Sequence, residues 1–282
     1  MLSENSMNWC WSAGFSRLKP ALQPLHRAIF ALLPIFYLLV SVSSPNMQTL
    51  LLILHRPQDA RNIGAAMRAM KNMGLCHLRL VAPVAYAVEE LLRIAHRSED
   101  IIETLEIFED LPSALADVHY VVGTSERMHP ERPMCNDVRA LAPELLVRAQ
   151  TSRVALLFGP EDHGLDRAAL DHCHVVLRLP STLDYPSLNL AQAVLLLLYE
   201  LRMAAEQPLP PLPAHTPAPG ADHEVLIQLL RATMSASGFV KAGDGSTNLR
   251  RLRGLFTRAQ PNASEIALLN ALLRQILSAL RR

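Results

Sequence analysis

Short apolar runs alternate with helix-like stretches along most of this chain, and the alternation limits the folds that it can adopt. Five runs are apolar almost throughout, at 49–54, 77–82, 120–124, 154–158 and 175–179. Helix-like stretches follow or separate them at 62–73, 88–95, 111–116, 138–150 and 188–204. Strands that are apolar on both faces are typical of parallel sheets covered by helices. The pattern therefore predicts an α/β fold with a parallel sheet.

The composition excludes several other classes of protein. Half of the 282 residues are hydrophobic and 19% are charged, which is too apolar for a disordered chain. The four cysteines stand singly at 10, 76, 135 and 173, a pattern that favours reduced thiols in a cytoplasmic protein. The chain contains neither G-x-G-x-x-G after a strand nor a Walker loop, so the common dinucleotide and nucleotide folds are disfavoured.

The sequence divides into four segments. Residues 1–46 form an N-terminal extension, 47–206 the α/β domain, 207–221 a proline-rich linker and 222–282 a helical C-terminal extension. The run Ala28–Val42 in the first segment can be interpreted as an export signal, a weak membrane anchor or an inert extension. We favour an extension that is disordered or precedes the native start, and we expect no stable membrane association.

Charge is distributed unevenly along the chain. The formal charge is +2 over residues 1–46, −6 over 47–221 and +5 over 222–282. Four arginines of the last segment lie within nine positions, and such a basic cluster suggests a polyanion as partner. They are Arg250, Arg251, Arg253 and Arg258. A solvated helical face is the alternative interpretation of the same charges.

Polar residues cluster after three of the predicted strands, at the ends where open α/β sheets bind ligands. The first cluster, 56–70, contains Asn62 and Arg68, and Arg68 shares a helical face with Gly64. The second, 158–165, is a loop bracketed by glycines, and the third, 179–194, opens an apolar helix. Taken singly, Asn62 and Ser187 can be helix caps and the glycines ordinary turn residues.

Together the clusters carry a family resemblance. The motifs N-I-G-A-A-M-R-A-M-K-N-M-G, F-G-P-E-D-H-G-L and Y-P-S-L-N-L-A-Q-A-V resemble the SPOUT class (SpoU/TrmH superfamily) of RNA 2′-O-ribose methyltransferases, most closely its TrmJ-like tRNA branch. The basic segment L-R-R-L-R-G-L-F-T-R-A-Q-P is similar to that branch's helical extension, so we predict that Arg250, Arg251, Arg253 and Arg258 bind RNA. The resemblance implies a C-terminal trefoil knot, a homodimer with its active site at the subunit interface, and S-adenosylmethionine (SAM) as cofactor.

The resemblance also implies a substrate and a set of site residues. The expected substrate is tRNA, methylated on the ribose of nucleotide 32 in the anticodon loop; an rRNA substrate and a catalytically silent RNA-binding dimer are alternatives. The expected catalytic residues are Asn62, Arg68, Glu161, Ser187 and Asn189. The expected cofactor-binding residues are Thr124, Ser125, Gly159, Gly164, Leu179, Ser187 and Leu188.

Two features of the chemistry follow from the residues themselves. Methyl transfer from a sulfonium needs no metal, and we expect none, although His163, His172, Cys173 and His174 lie close together in sequence. An ordinary arginine stays protonated, so we expect Arg68 to act mainly by electrostatic stabilisation and by holding a phosphate. Glu126 beside Arg127 is unusual for the family and weakens the expectation of an RNA contact there.

Overall fold

The computed structural model describes residues 47–182, 184, 187–240 and 245–281, and these described residues belong to one compact unit. The interpretations of residues 1–46 lie outside the described residues. The described part contains a sheet of seven strands, all parallel to their neighbours. The strands are β1 (Leu50–His55), β2 (His77–Val81), β3 (Glu106–Phe108), β4 (Tyr120–Thr124), β5 (Met134–Cys135), β6 (Val154–Phe158) and β7 (Val175–Leu177).

Helices connect these strands and form the C-terminal extension. In the α/β part they are α1 (Ala60–Met73), α2 (Val88–Ile94), α3 (Glu99–Glu103), α4 (Leu111–Ala114), α5 (Val138–Arg148), α6 (Arg167–Leu170) and α7 (Leu190–Ala204). In the extension they are α8 (Gly220–Ala236), α9 (Ser246–Ala259) and α10 (Ala263–Leu280). The predicted parallel α/β fold is thus confirmed.

The sheet is buried on both faces, which explains its continuously apolar strands. All six residues of β1 are buried. Leu50, Leu52 and Leu54 point into the core beneath α1 and α7, whereas Leu51 and Ile53 point into a second core on the opposite face. Successive side chains of a strand face opposite sides of the sheet, so both sets must be apolar when helices cover both faces.

Strand order brings the later part of the chain into the middle of the sheet. The order is β3-β2-β1-β6-β4-β7-β5, so β6 lies between two strands that precede it in sequence. In β6, Val154 pairs with Leu50 of β1 and with Tyr120 of β4. This order is consistent with the knotted SPOUT fold, while the threading of the knot itself stays a prediction.

The helical extension packs on the α/β part through its backbone as well as its side chains. The amide nitrogen of Gly220 donates to the carbonyl oxygen of Val118 at 2.8 Å, and that of Ala221 donates to Ala116 at 2.9 Å. A Cβ atom at Gly220 would lie 2.3 Å from the carbonyl oxygen of Leu115, so only glycine permits this approach. The start of α8 is therefore fixed against the sheet layer.

Helix α10 is the described helix that is long and apolar enough, by length and composition alone, to cross a membrane. Its residues Ile266 and Leu273 pack in a small core with Leu226 of α8. The helix begins with a capping box, in which the Asn262 side chain accepts from the Glu265 amide and the Glu265 carboxylate accepts from the Asn262 amide. These contacts assign α10 to the packed helical extension.

Candidate active site

An open cavity lies at the carboxyl ends of β4, β6 and β7. All seven residues expected to bind the cofactor line it: Thr124, Ser125, Gly159, Gly164, Leu179, Ser187 and Leu188. Glu161, one of the expected catalytic residues, lines it too. Loops that follow neighbouring parallel strands emerge at the same edge of a sheet, which is why positions distant in sequence meet here.

The loop after β6 folds back tightly on itself. A Cβ atom at Gly159 would lie 2.3 Å from the amide nitrogen of Leu165 and 2.4 Å from the carbonyl carbon of Gly164. Gly164 has a φ of +69°, a conformation that side chains with a Cβ rarely adopt. Its amide donates to the carbonyl oxygen of Pro160 at 2.9 Å. Both glycines are therefore required for the shape of the cavity wall.

The loop after β4 is joined to both neighbouring strands. The Thr124 hydroxyl donates to the carbonyl oxygen of Leu157 at 3.2 Å, and the Ser125 amide donates to that of Leu177 at 3.0 Å. The Ser125 hydroxyl lies 2.9 Å from Nε2 of His129, which also lines the cavity. His129 belongs to none of the sequence motifs, so its place at the site became visible only in the structure.

Three of the expected catalytic residues form a chain of hydrogen bonds. Asn189 Nδ2 donates to Asn62 Oδ1 at 2.9 Å, and Asn62 Nδ2 donates to Glu161 Oε1 at 2.9 Å. The other Glu161 oxygen accepts from the backbone amide of Gln58 at 2.9 Å. These bonds join the loop after β1, the loop after β6 and the start of α7, and they fix the Glu161 carboxylate at the cavity.

The interpretation of Asn62 and Ser187 as helix caps is wrong. Asp59 caps α1, with its carboxylate accepting from the Arg61 amide at 2.8 Å. Asn189 caps α7, accepting from the amides of Ala191 at 2.9 Å and Gln192 at 3.4 Å. Because other residues satisfy the helix ends, the Asn62 amide is free to bond Glu161. Asn189 both caps its helix and bonds Asn62.

Arg68 does not join this network within one chain. Its Nη1 atom donates to the carbonyl oxygen of Ile94 at 3.4 Å, and the side chain is exposed. A Cβ atom on Gly64 would lie 3.1 Å from that of Ile94, so Gly64 and Arg68 share the α2-facing side of α1 as predicted. Asn62 lies about 120° away around the helix. Arg68 is therefore separated from Glu161 by its position on α1.

The histidines near β7 divide between two places. His163 lines the cavity, whereas His172 and His174 lie where the sheet meets α8. Among the described residues, no group of three or more His, Cys, Asp or Glu side chains is placed to hold a metal ion.

The four arginines of the extension that we predict to bind RNA have different surroundings. Arg250 Nε donates to Asp171 Oδ2 at 3.1 Å, and Arg253 forms a two-point ion pair with Glu224. Arg251 and Arg258 are exposed, and their side chains form no hydrogen bond or ion pair with other described residues. The charge count along the sequence could not distinguish the ion-paired arginines from the exposed ones, because the acidic partners of Arg253 and Arg250 are 29 and 79 residues away.

Arg127 and Glu126 also line the cavity, beside the cofactor-binding positions. Arg127 Nε lies 3.9 Å from Glu126 Oε1, and the arginine side chain is mostly exposed. The acidic neighbour thus offsets part of the charge that Arg127 brings to the cavity rim.

Comparison with known proteins agrees with this geometry. Residues 49–199 match the SpoU rRNA Methylase family. The chain is 34% identical over 236 residues to the tRNA (cytidine/uridine-2′-O-)-methyltransferase TrmJ of Klebsiella pneumoniae, covering 82% of this chain and 97% of that one. Against the protein of the same name from Escherichia coli K12 the identity is 34% over 235 residues, covering 82% and 96%.

Solved structures give the same result. The structure of TrmJ from Zymomonas mobilis ZM4 superposes with a TM-score of 0.70 at 31% identity, covering 80% of this chain and 98% of that one. A probable methylase family protein from Haemophilus influenzae superposes with a TM-score of 0.54 at 29% identity, covering 83% and 98%. The resemblance carried by the sequence motifs is thus confirmed. The chain is an RNA methyltransferase that belongs to the SpoU rRNA methylase family.

Proposed function

We propose that this protein is a cytoplasmic, homodimeric methyltransferase that uses SAM to methylate the ribose 2′-hydroxyl of nucleotide 32 in tRNA. The observation that carries the proposal is the convergence of the seven expected cofactor residues on one cavity, with the Glu161 carboxylate held at its edge. Relatives that the chain covers almost completely are named as tRNA (cytidine/uridine-2′-O-)-methyltransferases, which supports tRNA over rRNA.

The side chains of the cavity fit an adenosine-containing cofactor. Leu165, Leu177 and Leu179 provide an apolar wall for a purine ring. The Ser125 and Ser187 hydroxyls and the tightly folded backbone at Gly159 provide polar groups for a ribose. When bound, SAM supplies an activated methyl group, so the protein needs to position a ribose hydroxyl and accommodate its proton.

The chain's own residues can position the ribose and stabilise its 2′-oxygen. Hydrogen bonds hold Glu161 to Asn62 and to the Gln58 amide, and Asn62 in turn to Asn189, so these side chains form a rigid polar edge against which a ribose can be oriented. Arg68 would stabilise negative charge on the 2′-oxygen and hold a neighbouring phosphate. Because Arg68 lies on a different side of α1 from Asn62 and forms no bond with the Glu161 network in its own chain, we propose that a second copy of the chain brings it to the site.

The proposal is tested by methyl transfer to unmodified tRNA. Purified full-length protein is incubated with methyl-labelled SAM and a tRNA transcript, and the labelled nucleotide is mapped. We expect label on the ribose of nucleotide 32. A transcript with a 2′-deoxyribose at position 32 is the matched control and should accept no label. Equal labelling of this control, or transfer to rRNA and not to tRNA, would contradict the proposal.

A further inference from the structure

A basic groove lies between the α/β part and helix α9 of the extension. Five arginines line it, two from the loop before β5 and from α6, and three from α9. They are Arg132, Arg167, Arg250, Arg251 and Arg258. Two carboxylates, Glu131 and Asp171, line it as well. The groove therefore carries an excess of three positive charges.

Two of the five arginines are used to hold the groove together. The Asp171 carboxylate accepts from Arg250 at 3.1 Å and is also ion-paired with Arg132. Arg132 Nη1 donates in addition to the carbonyl oxygen of Leu170 at 2.6 Å. The Arg132 and Asp171 side chains are largely buried, so this triad joins α9 to the end of α6.

The other three arginines keep their charges available. The side chains of Arg167, Arg251 and Arg258 form no hydrogen bond or ion pair with any residue that the structure describes, and all three residues are exposed. Arg251 and Arg258 lie seven residues apart on α9, on the same face of the helix. Arg167 faces the groove from the opposite wall.

A glycine in the middle of α9 supports a binding role for this face. Gly254 lines the groove three residues after Arg251 and four before Arg258. Glycine inside a helix is unfavourable relative to alanine. A Cβ atom at Gly254 would meet only the Arg258 guanidinium, at 3.5 Å, so packing does not require glycine here. The missing side chain leaves the groove floor open between the two arginines.

We propose that this groove binds the phosphate backbone of the RNA substrate, through Arg167, Arg251 and Arg258. In this assignment Arg250 and Arg253 dock the extension on the α/β part and do not contact RNA. The inference rests on the proposed function and adds to it a surface shared by the two parts of the chain. Repeated phosphates along one strand suit three separated cations better than a single small anion does.

The position of the groove also favours a polymer. The segment from Ser125 to Pro133 runs from the cofactor cavity, where Ser125 and His129 lie, to the groove, where Arg132 lies. Strand β7, three residues long, separates the same two places and spans about 10 Å. An RNA chain with its reactive ribose at a cavity is long enough to place neighbouring phosphates in a groove.

The test measures tRNA affinity of full-length single variants at several salt concentrations. We expect Arg167→Ala, Arg251→Ala and Arg258→Ala each to weaken tRNA binding several-fold at about 0.1 M salt and to reduce the slope of log K against log salt by about 0.7 to 0.9. Arg231→Ala, an exposed arginine of α8 outside the groove, is the matched control and should change neither quantity. SAM affinity should be unchanged in all four variants.

A second pair of variants tests the groove without changing its charge. Gly254→Leu should fill the floor and weaken tRNA binding several-fold with no loss of thermal stability, whereas Gly254→Ala should leave binding nearly unchanged. Unchanged tRNA affinity and salt slope in the arginine variants would overturn the groove proposal, and wild-type methyl transfer to tRNA would still support the proposed function. Arginine variants that change the oligomeric state and not the tRNA affinity would also overturn the groove proposal. Wild-type protein that does not bind tRNA would overturn both.

Discussion

Arg68 and Asn62 lie on the same helix, yet only Asn62 belongs to the hydrogen-bonded network around Glu161. If Arg68 acts on the reacting RNA, its loss should affect turnover and spare the cofactor. We expect Arg68→Ala to lower the rate of methyl transfer to tRNA by at least about a hundredfold, with SAM affinity within a few-fold of wild type. Single-turnover kinetics and calorimetry measure the two quantities.

Arg61→Ala provides the control for this variant. Arg61 lies seven residues before Arg68 on the same face of α1, is exposed and pairs with Asp59, so its loss removes an arginine from that face and leaves Arg68 in place. Its methyl transfer rate should stay within a few-fold of wild type. Near-normal turnover in Arg68→Ala would remove Arg68 from the catalytic residues.

Gly159 is constrained by its own loop. A Cβ atom there would collide with the backbone of Gly164 and Leu165, so even Gly159→Ala must open the loop that forms the cavity wall. We expect Gly159→Ala to weaken SAM binding at least tenfold in calorimetry and Gly159→Val to abolish it, with the oligomeric state of the protein unchanged. Gly74→Ala, at a positive φ with open space around it, should destabilise the fold by about 1 kcal/mol and leave SAM affinity unchanged.

At the scale of elements, the pattern of apolar runs predicted the five buried strands because burial on both faces leaves a strong signal. The strands β3 and β5 gave no such signal. They are three and two residues long, at the two edges of the sheet, and are only partly covered. The prediction of 175–179 as a strand extended too far, since β7 ends at Leu177. Edge strands depend on tertiary pairing that local sequence does not record.

The candidate site was predictable to a similar degree. Residues at strand ends could be placed together because the topology of a parallel sheet requires it. Hydrogen-bond and ion-pair partners that come from distant segments could not be predicted in this way. Arg79, between two leucines of β2, is buried and bonds Glu106 at 2.7 Å and Asp117 at 2.6 Å. Nothing in the strand pattern indicates these carboxylates. The ion pair between Arg250 and Asp171 was equally unpredictable from local sequence.

The junction between α8 and the sheet contains buried histidines that make stability depend on pH. His174 accepts a hydrogen bond from the Val121 amide at 3.0 Å and stacks on Tyr120, and His223 of α8 meets it edge-on. Burial lowers the pKa of His174 to about 3 and also lowers the pKa of His223. Burial, together with the charge of Arg253, lowers the pKa of His172 to about 4.

The sign of the effect follows from these lowered values. The unfolded chain binds protons at the ordinary histidine pKa of about 6.5, before the folded chain does, so stability is present above pH 6.5 and decreases as pH falls toward 4. Each histidine that stays neutral when folded contributes a slope of about 1.4 kcal/mol per pH unit. Chemical denaturation between pH 7 and 4 should show this loss. His174→Asn, which keeps an acceptor for Val121, should flatten the slope, and the exposed His96→Asn should not.

At the scale of the whole molecule, helix α7 presents an apolar stripe that a second copy of the chain can cover. Leu195, Leu196, Tyr199 and Met203 are each more than a third exposed and lie within an arc of about 100°. The helix begins at the active site, where Asn189 caps it and Leu190 and Ala193 line the cavity. Pairing of two copies through this stripe would place their active sites near the subunit interface.

A charge in the stripe should therefore separate the subunits and stop the reaction. In the proposed dimer, Tyr199→Arg should give a folded monomer in sedimentation experiments and lower methyl transfer at least about a hundredfold, because Arg68 of one copy would no longer reach Glu161 of the other. Leu268→Glu, on the exposed face of α10, is the matched control and should remain a dimer with normal activity. A dimer that survives Tyr199→Arg and dissociates in Leu268→Glu would assign the interface to the helical extension. A monomeric Tyr199→Arg protein with full activity would show that each chain holds a complete site, and Arg68 would then have to reach the ribose from its own α1.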